Sequence, residues 1–295
     1  MHWHSPIARD HPLVGRIWSV RDARFVDEAT LDAAVVAAPW VLLGEKHDNI
    51  DHHVLEARLA DVVAARRPRV ALALEMLTAD QQAAVDAALA RGPDAVAEAS
   101  HWEESGWPSF EHYRPVVAVA TSRHLALVAA NLPNATLMPL ARSEPIADAV
   151  VAALAAATPP TDAAFVEPIA AEMRESHCGM LPERAVAGMV RVQWMRDAMM
   201  VDRMVAANHG DGVVLVAGTG HTRRDRGVPA HLARVGAPGE VVSVAFVEVA
   251  PGHETPESYG EAWGAAAPPF DYLWFTPVAT NEDPCAELRA HGMSR

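Results

Sequence analysis

The sequence predicts an α/β protein: a mostly parallel sheet flanked by helices, with a smaller helical subdomain. Apolar runs of strand length recur at 40–43, 70–74, 125–130, 213–217 and 241–247, with a further run at 272–275. Helical patterns separate them, and strands alternating with helices call for parallel crossovers that cover both sheet faces. The stretch from about 143 to 208 is Ala- and Met-rich, has helical spacing and holds no strand-like run. Expected boundaries are therefore a core of 11–142 with 209–290, a helical subdomain or insertion at 143–208, and tails at 1–10 and 291–295.

Taken in order, 50–66 spaces Val54, Leu55, Leu59, Val62 and Val63 along one helix face, with Asp48 or Asn49 placed to cap it. A second helix at 80–91 turns Val85 and Leu89 inward and stops at Gly92-Pro93. Helices are also expected at 115–123 and 184–208, and the Ala-rich stretch 146–157 reads as a buried helix. Within 184–208, helical spacing gathers Met189, Met195, Met199, Met200 and Met204, which core packing explains more simply than an adaptable pocket. Loops fall at 158–161 and 252–269.

Composition limits the function. With 51% hydrophobic and 21% charged residues, the chain is neither disordered nor a coiled coil. Its 24 basic against 38 acidic residues give a formal charge of −14, a sign that repels phosphate backbones and argues against nucleic-acid binding. Of the basic residues 23 are Arg, and the one Lys is Lys46. Two cysteines, Cys178 and Cys285, are too few for a disulfide framework or a Cys-based metal cluster. No run of 18 apolar residues marks a transmembrane segment, and the opening Met-His-Trp-His-Ser-Pro does not read as a signal peptide.

In a parallel α/β sheet, functional groups gather at the carboxyl ends of the strands. Here the first strand runs into Gly44-Glu45-Lys46-His47, followed by His52-His53; the second reaches Glu75; the fourth runs into Gly218-Thr219-Gly220-His221 and then Arg223 and Arg224. Imidazoles and carboxylates from three strand ends can surround a divalent first-row metal ion, so Glu45, His47, Glu75 and His221 are the candidate metal ligands. Alternation along an extended segment puts Glu45 and His47 on one side, with Lys46 pointing elsewhere. Buried hydrogen bonding among the same groups is the bland alternative. The third glycine of a dinucleotide fingerprint is missing, and so are a Walker lysine and a Gly-x-Ser-x-Gly elbow. His177-Cys178 could form a reactive pair, although a packed structural cysteine fits adjacent residues better.

These residues carry a resemblance. Gly44-Glu-Lys-His-Asp-Asn-x-x-His-His, then Leu74-Glu-Met with Asp80-Gln-Gln, resembles the ChaN-like family of haem-binding proteins. Trp107 with Tyr113-Arg-Pro, His177-Cys178-Gly-Met-Leu-Pro, Gln193 with Arg196-Asp197-Ala-Met, and Gly218-Thr-Gly-His through Gly227-Val-Pro follow in order. With His11-Pro-Leu-Val-Gly-Arg-Ile before them and Asp271-Tyr-Leu-Trp-Phe-Thr-Pro after, the likeness spans about 11 to 288.

The resemblance implies a role in haem or iron uptake at the bacterial envelope, haem as cofactor, and haem shared across a homodimer. Members are typically lipoproteins; no Cys near residue 1 could carry a lipid, which leaves a cytoplasmic location open. Ferric haem needs an axial Tyr or His and cations for its propionates. Among three tyrosines Tyr113 is the preferred axial candidate, with Lys46, His52 and His53 placed for propionates or iron. The wider superfamily, with Tiki-type proteases and erythromycin esterases, implies the alternative of a metal-dependent hydrolase. In that reading Glu45, His47, Glu75 and His221 are catalytic, and Arg223 or Arg224 stabilises developing charge.

Overall fold

In a computed structural model of the protein, which describes residues 2–158, 163–283 and 285–286, the expected apolar runs pair into one sheet of eight strands. In spatial order these are β2 (Arg24–Val26), β1 (Ile17–Ser19), β8 (Tyr272–Thr276), β7 (Val241–Glu248), β3 (Trp40–Glu45), β6 (Val213–Gly218), β4 (Ala71–Thr78) and β5 (Leu127–Asn131). The six strands from β8 to β5 are parallel, and β1 runs antiparallel to both β2 and β8. The sheet is thus mostly parallel, as the sequence predicts. The antiparallel hairpin was not expected, because two strands of three residues offer too few positions to show a period.

The central strands alternate in the way a sheet covered on both faces requires. Val41, Leu43, Leu72, Leu74, Val214 and Val216 pack on one face against α1 (Glu28–Ala37), α2 (Ile50–Arg66), α3 (Gln82–Leu89) and α5 (Phe110–Arg123). Next to α3 lies α4 (Pro93–Ala99). On the other face Trp40, Leu42, Ala71, Ala73, Val213 and Leu215 meet the end of α9 (Glu183–Ala207) and α11 (Val228–Arg234). Met200 and Met204 of α9 belong to this core and are fully buried, as core packing of the methionines requires. Each fully buried Leu or Val contributes roughly 1.5–3 kcal/mol over exposure.

The helices near the site follow local rules. Asn49 caps α2, its side chain accepting from Asp51 N, and Ser109 caps α5 by accepting from Glu111 N. That places the start of α5 five residues before Pro115, so Pro115 sits inside a helix whose expected start was 115.

The described chain divides into two compact units, Met1–Asn131 with Met200–Thr280, and Leu132–Met199 with Asn281–Arg295. The first holds the whole sheet. The second holds α6 (Asn134–Arg142), α7 (Ala149–Ala157), α8 (Ala163–Ser176) and the start of α9. Gly188 lets α9 approach α6, since a Cβ there would meet the Ala141 carbonyl oxygen at 2.6 Å. Asp148 caps α7, but Val151 is its one buried residue, so the expectation of a buried helix at 146–157 is corrected: Ala-rich sequence favours a helix without requiring its burial.

Cys178 and Cys285 form a disulfide in this second unit, with Cα atoms 5.8 Å apart. No thiol is therefore available for the His177-Cys178 pair, and the His177 Nδ1 lies 2.8 Å from the Met173 carbonyl oxygen instead. Of the expected loop 158–161, residues 159–161 lie outside the described residues, as does the tail 291–295. Within 252–269, Pro256–Trp263 is a 3-10 helix rather than loop.

Candidate functional site

Parallel pairing brings the candidate residues to one sheet edge. Glu45, the last residue of β3, stands opposite Gly218, the last of β6. On the far side of β6, Leu74 of β4 pairs with Val216, which puts Glu75 beside the same end. After Gly218 comes the single turn α10 (Thr219–Thr222), carrying His221. The Gly218 N–H donates to Glu75 Oε2 (2.8 Å), and His221 Nε2 lies 3.2 Å from Glu75 Oε1. An ideal Cβ on Gly218 would stand 3.0 Å from His47 Nε2 and 3.6 Å from Glu75 Oε2, so glycine leaves the space in which these two groups approach each other. Glu45, His47, Glu75 and His221 thus come to one sheet edge, where His47 alone of the four reaches solvent and marks the mouth.

Behind the mouth lies a wholly buried layer. Glu45 is 2% exposed and takes three approaches. His47 Nδ1 lies 2.7 Å from its Oε1, the Tyr113 hydroxyl donates to the same oxygen at 2.8 Å, and His53 Nδ1 lies 2.6 Å from Oε2. Burial raises the Glu45 carboxyl, but the charges of His53 and His47 outweigh it and hold the group well below the usual carboxylate range. Burial lowers His53, yet the Glu45 charge, with Glu56 behind it, drives the ring up to about 11. Burial and the Glu45 charge push Glu56 up to about 8. The Tyr113 phenol is driven far above its usual range by burial and by the Glu45 carboxylate.

His47 is the member of this group that reaches solvent, with 34% of its side chain exposed. Its ring meets Trp107 edge to face, centroids 4.8 Å apart. The Glu45 carboxylate draws the ring proton to Nδ1, which leaves Nε2 as the donor atom at the mouth. Burial lowers this imidazole and the Glu45 charge raises it, with a net shift upward.

The other expected ligand contacts are placed differently. Tyr113, His52 and His53 are each 0% exposed. Tyr113 packs between the His53 and Trp102 rings at 4.1 and 5.0 Å, its hydroxyl given to Glu45. His52 Nδ1 accepts from the Lys46 N–H (3.0 Å), so its Nε2 donates to Thr276 Oγ1 (2.9 Å), and burial keeps this ring well below the ordinary histidine range. Groups enclosed in this way present no atom to a porphyrin. Lys46 is 45% exposed, with Nζ 3.0 Å from Glu248 Oε2 and 3.2 Å from Asp48 Oδ1. Asn49 Nδ2 donates to Glu248 Oε1 (2.8 Å), so one carboxylate ties the loop after β3 to the end of β7.

The Arg223 guanidinium is buried and committed to Asp225 and the Trp263 carbonyl, and Arg224 to Asp271 and the Val241 carbonyl. The expectation that either stabilises developing charge therefore fails, because each cation is already neutralised. Sequence reasoning missed Glu56. Its signal was present: it shares the α2 face of Leu59 and Val63, where a carboxylate must find a buried partner, and His53 lies one turn before it.

Fold and site together define a class: a parallel α/β protein with an imidazole–carboxylate cluster at the carboxyl edge of its sheet. The family model described as haem-binding uptake, Tiki superfamily, ChaN matches residues 32–232, and the chain belongs to that family.

Among solved structures, the chain is similar to that titled cofacial heme binding to ChaN of Campylobacter jejuni, with 20% identity, TM-score 0.68, and coverage of 88% of this chain and 95% of that one. That likeness shows a shared fold. Weaker likenesses are to the type III effector HopBA1 (14% identity, TM-score 0.49, 84% and 92% covered) and to an erythromycin esterase in its open conformation (17%, 0.47, 87% and 95%). At that level they say nothing of the site. No curated protein sequence matches.

Proposed function

We propose that this protein binds haem at the strand-end mouth, with His47 Nε2 as the iron ligand. The observation that carries this is the Glu45–His47 pair: a buried carboxylate holds Nδ1 at 2.7 Å while the side chain, packed edge-on beside Trp107, remains 34% exposed. Carboxylate-supported imidazole is a recurrent arrangement for metal ligation, because it fixes the tautomer and strengthens the donor. The donor set present fits haem on this count, with the Trp107 indole to lie against the macrocycle.

When bound, haem supplies the iron centre and an absorbance band that reports its ligation. The chain's own part is to orient His47, exclude water from Glu45 and hold the ring proton at Nδ1. A haem-dependent dimer, with the partly exposed His47 edge turned to a second copy, would be part of this reading.

Uptake at the cell envelope is the role that family membership supports. The Cys178–Cys285 disulfide supports an oxidising compartment, since such bonds persist outside the reducing cytosol. The test is hemin titration of the purified chain, in which a saturable Soret shift is expected and its absence would refute the reading.

A second reading rests on a different contact, Glu75 with His221. In that reading these two would position a water for hydrolysis, making the chain a hydrolase that works with a divalent ion. Its other support is the superfamily link. Elemental analysis of metal-free-purified protein, with His221→Ala as control, tests it.

A further inference from the structure

Behind the mouth, His53 presents a feature that haem binding does not use. Its Nε2 lies 3.1 Å from the His47 carbonyl oxygen. A carbonyl can only accept, so Nε2 carries a proton, and Nδ1 turns the other way. There it meets carboxylates alone: Glu45 Oε2 at 2.6 Å and Glu56 Oε2 at 3.0 Å. Glu56 Oε1 is buried and finds no hydrogen-bond partner among the described residues. Ligand atoms from Glu45, His53 and Glu56 all lie within 4.8 Å of one another. Acceptors converging in a water-free interior need a positive charge between them, which a proton on Nδ1 supplies in the apo protein and a divalent ion can supply in its place.

We infer that Glu45, His53 and Glu56 form a buried site for a divalent first-row metal ion, distinct from the mouth at His47. One imidazole and two carboxylates suit Mn2+, Fe2+ or Zn2+, whereas a soft ion would need thiolates. Histidine ligands commonly donate their other N–H to a backbone carbonyl, as His53 does to His47. The ion takes the place of a proton at Nδ1, so binding releases that proton to solvent. Its structural consequence is a fixed position for Glu45, whose other oxygen orients His47.

The experiment is titration of the metal-stripped, haem-free full chain with Mn2+ and Co2+, followed by calorimetry and by the Co2+ absorption bands. The wild type should bind one ion, and Glu56→Gln should bind about tenfold or more weakly. His221→Ala should bind it as the wild type does, which separates this site from the Glu75–His221 pair. Circular dichroism checks that Glu56→Gln is folded. If it is not, metal-dependent protection of the wild type against thermal unfolding decides instead. Absence of binding to the wild type, retention of full affinity in Glu56→Gln, or loss of the ion in His221→Ala would overturn the inference.

Discussion

His47 Nδ1 lies 2.7 Å from Glu45 Oε1, and that oxygen also accepts the Tyr113 hydroxyl at 2.8 Å. The carboxylate is buried and ionised, so it polarises the ring without taking its proton. Glu45→Gln keeps the shape and removes the charge. We expect haem affinity to fall by about 10–100-fold, the usual cost of losing a partner behind a metal ligand. Hemin titration of folded Glu45→Gln protein measures it.

Tyr113→Phe separates a positioning role from iron ligation. The hydroxyl is enclosed and bonded to a charged group, so its loss should cost about 1.5–3 kcal/mol of stability, read from the urea midpoint. Hemin should still give a saturable Soret shift with the wild-type band position. A changed band would make the phenol an iron ligand.

The buried layer also sets how stability depends on pH in the apo protein. Glu56 rises from 4.5 to about 8 on folding, and His53 from 6.5 to about 11. Between each pair of values the folded chain holds more protons than the unfolded one, so stability falls as pH rises. His52 is lowered and acts oppositely below 6.5, where the unfolded chain takes the proton. Denaturant midpoints should therefore be highest at or below about pH 6.5 and decline steadily toward pH 9. A midpoint that rises over pH 7–9 would contradict the protonation pattern of this layer.

Much of this was legible in the sequence, and the gaps have physical causes. All six expected strands are present, because apolar runs buried on both faces need no partner to be recognised. The hairpin Ile17–Ser19 and Arg24–Val26 was too short to show a period, and Pro115 hid the first turn of its helix. Gly-x-x-His spacing and strand-end logic found the residues at the mouth. Depth was not legible: Tyr113, His52 and His53 looked like ligands, yet each is enclosed, and nothing local distinguishes an enclosed imidazole from an exposed one. Lys46 stood out by composition, but its Glu248 partner is 202 residues away. Cys178 and Cys285, 107 residues apart, gave no sign of pairing.

That disulfide joins two segments of the helical unit and closes a long loop of chain that includes strands of the sheet unit. Cross-linking so many residues restricts the unfolded chain, which typically contributes about 2–4 kcal/mol. Reduction, or Cys178→Ser with Cys285→Ser, should lower the thermal midpoint of that unit, read by scanning calorimetry. Hemin binding at the sheet edge should remain.

Hemin titration of the wild type beside His47→Ala, followed through the Soret band, tests the central claim most directly. The wild type should show a saturable shift, and His47→Ala, folded by circular dichroism, should lose it or move the band. A His47→Ala protein that binds hemin with unchanged affinity and an unchanged spectrum would show that the Glu45-supported imidazole is not the iron ligand.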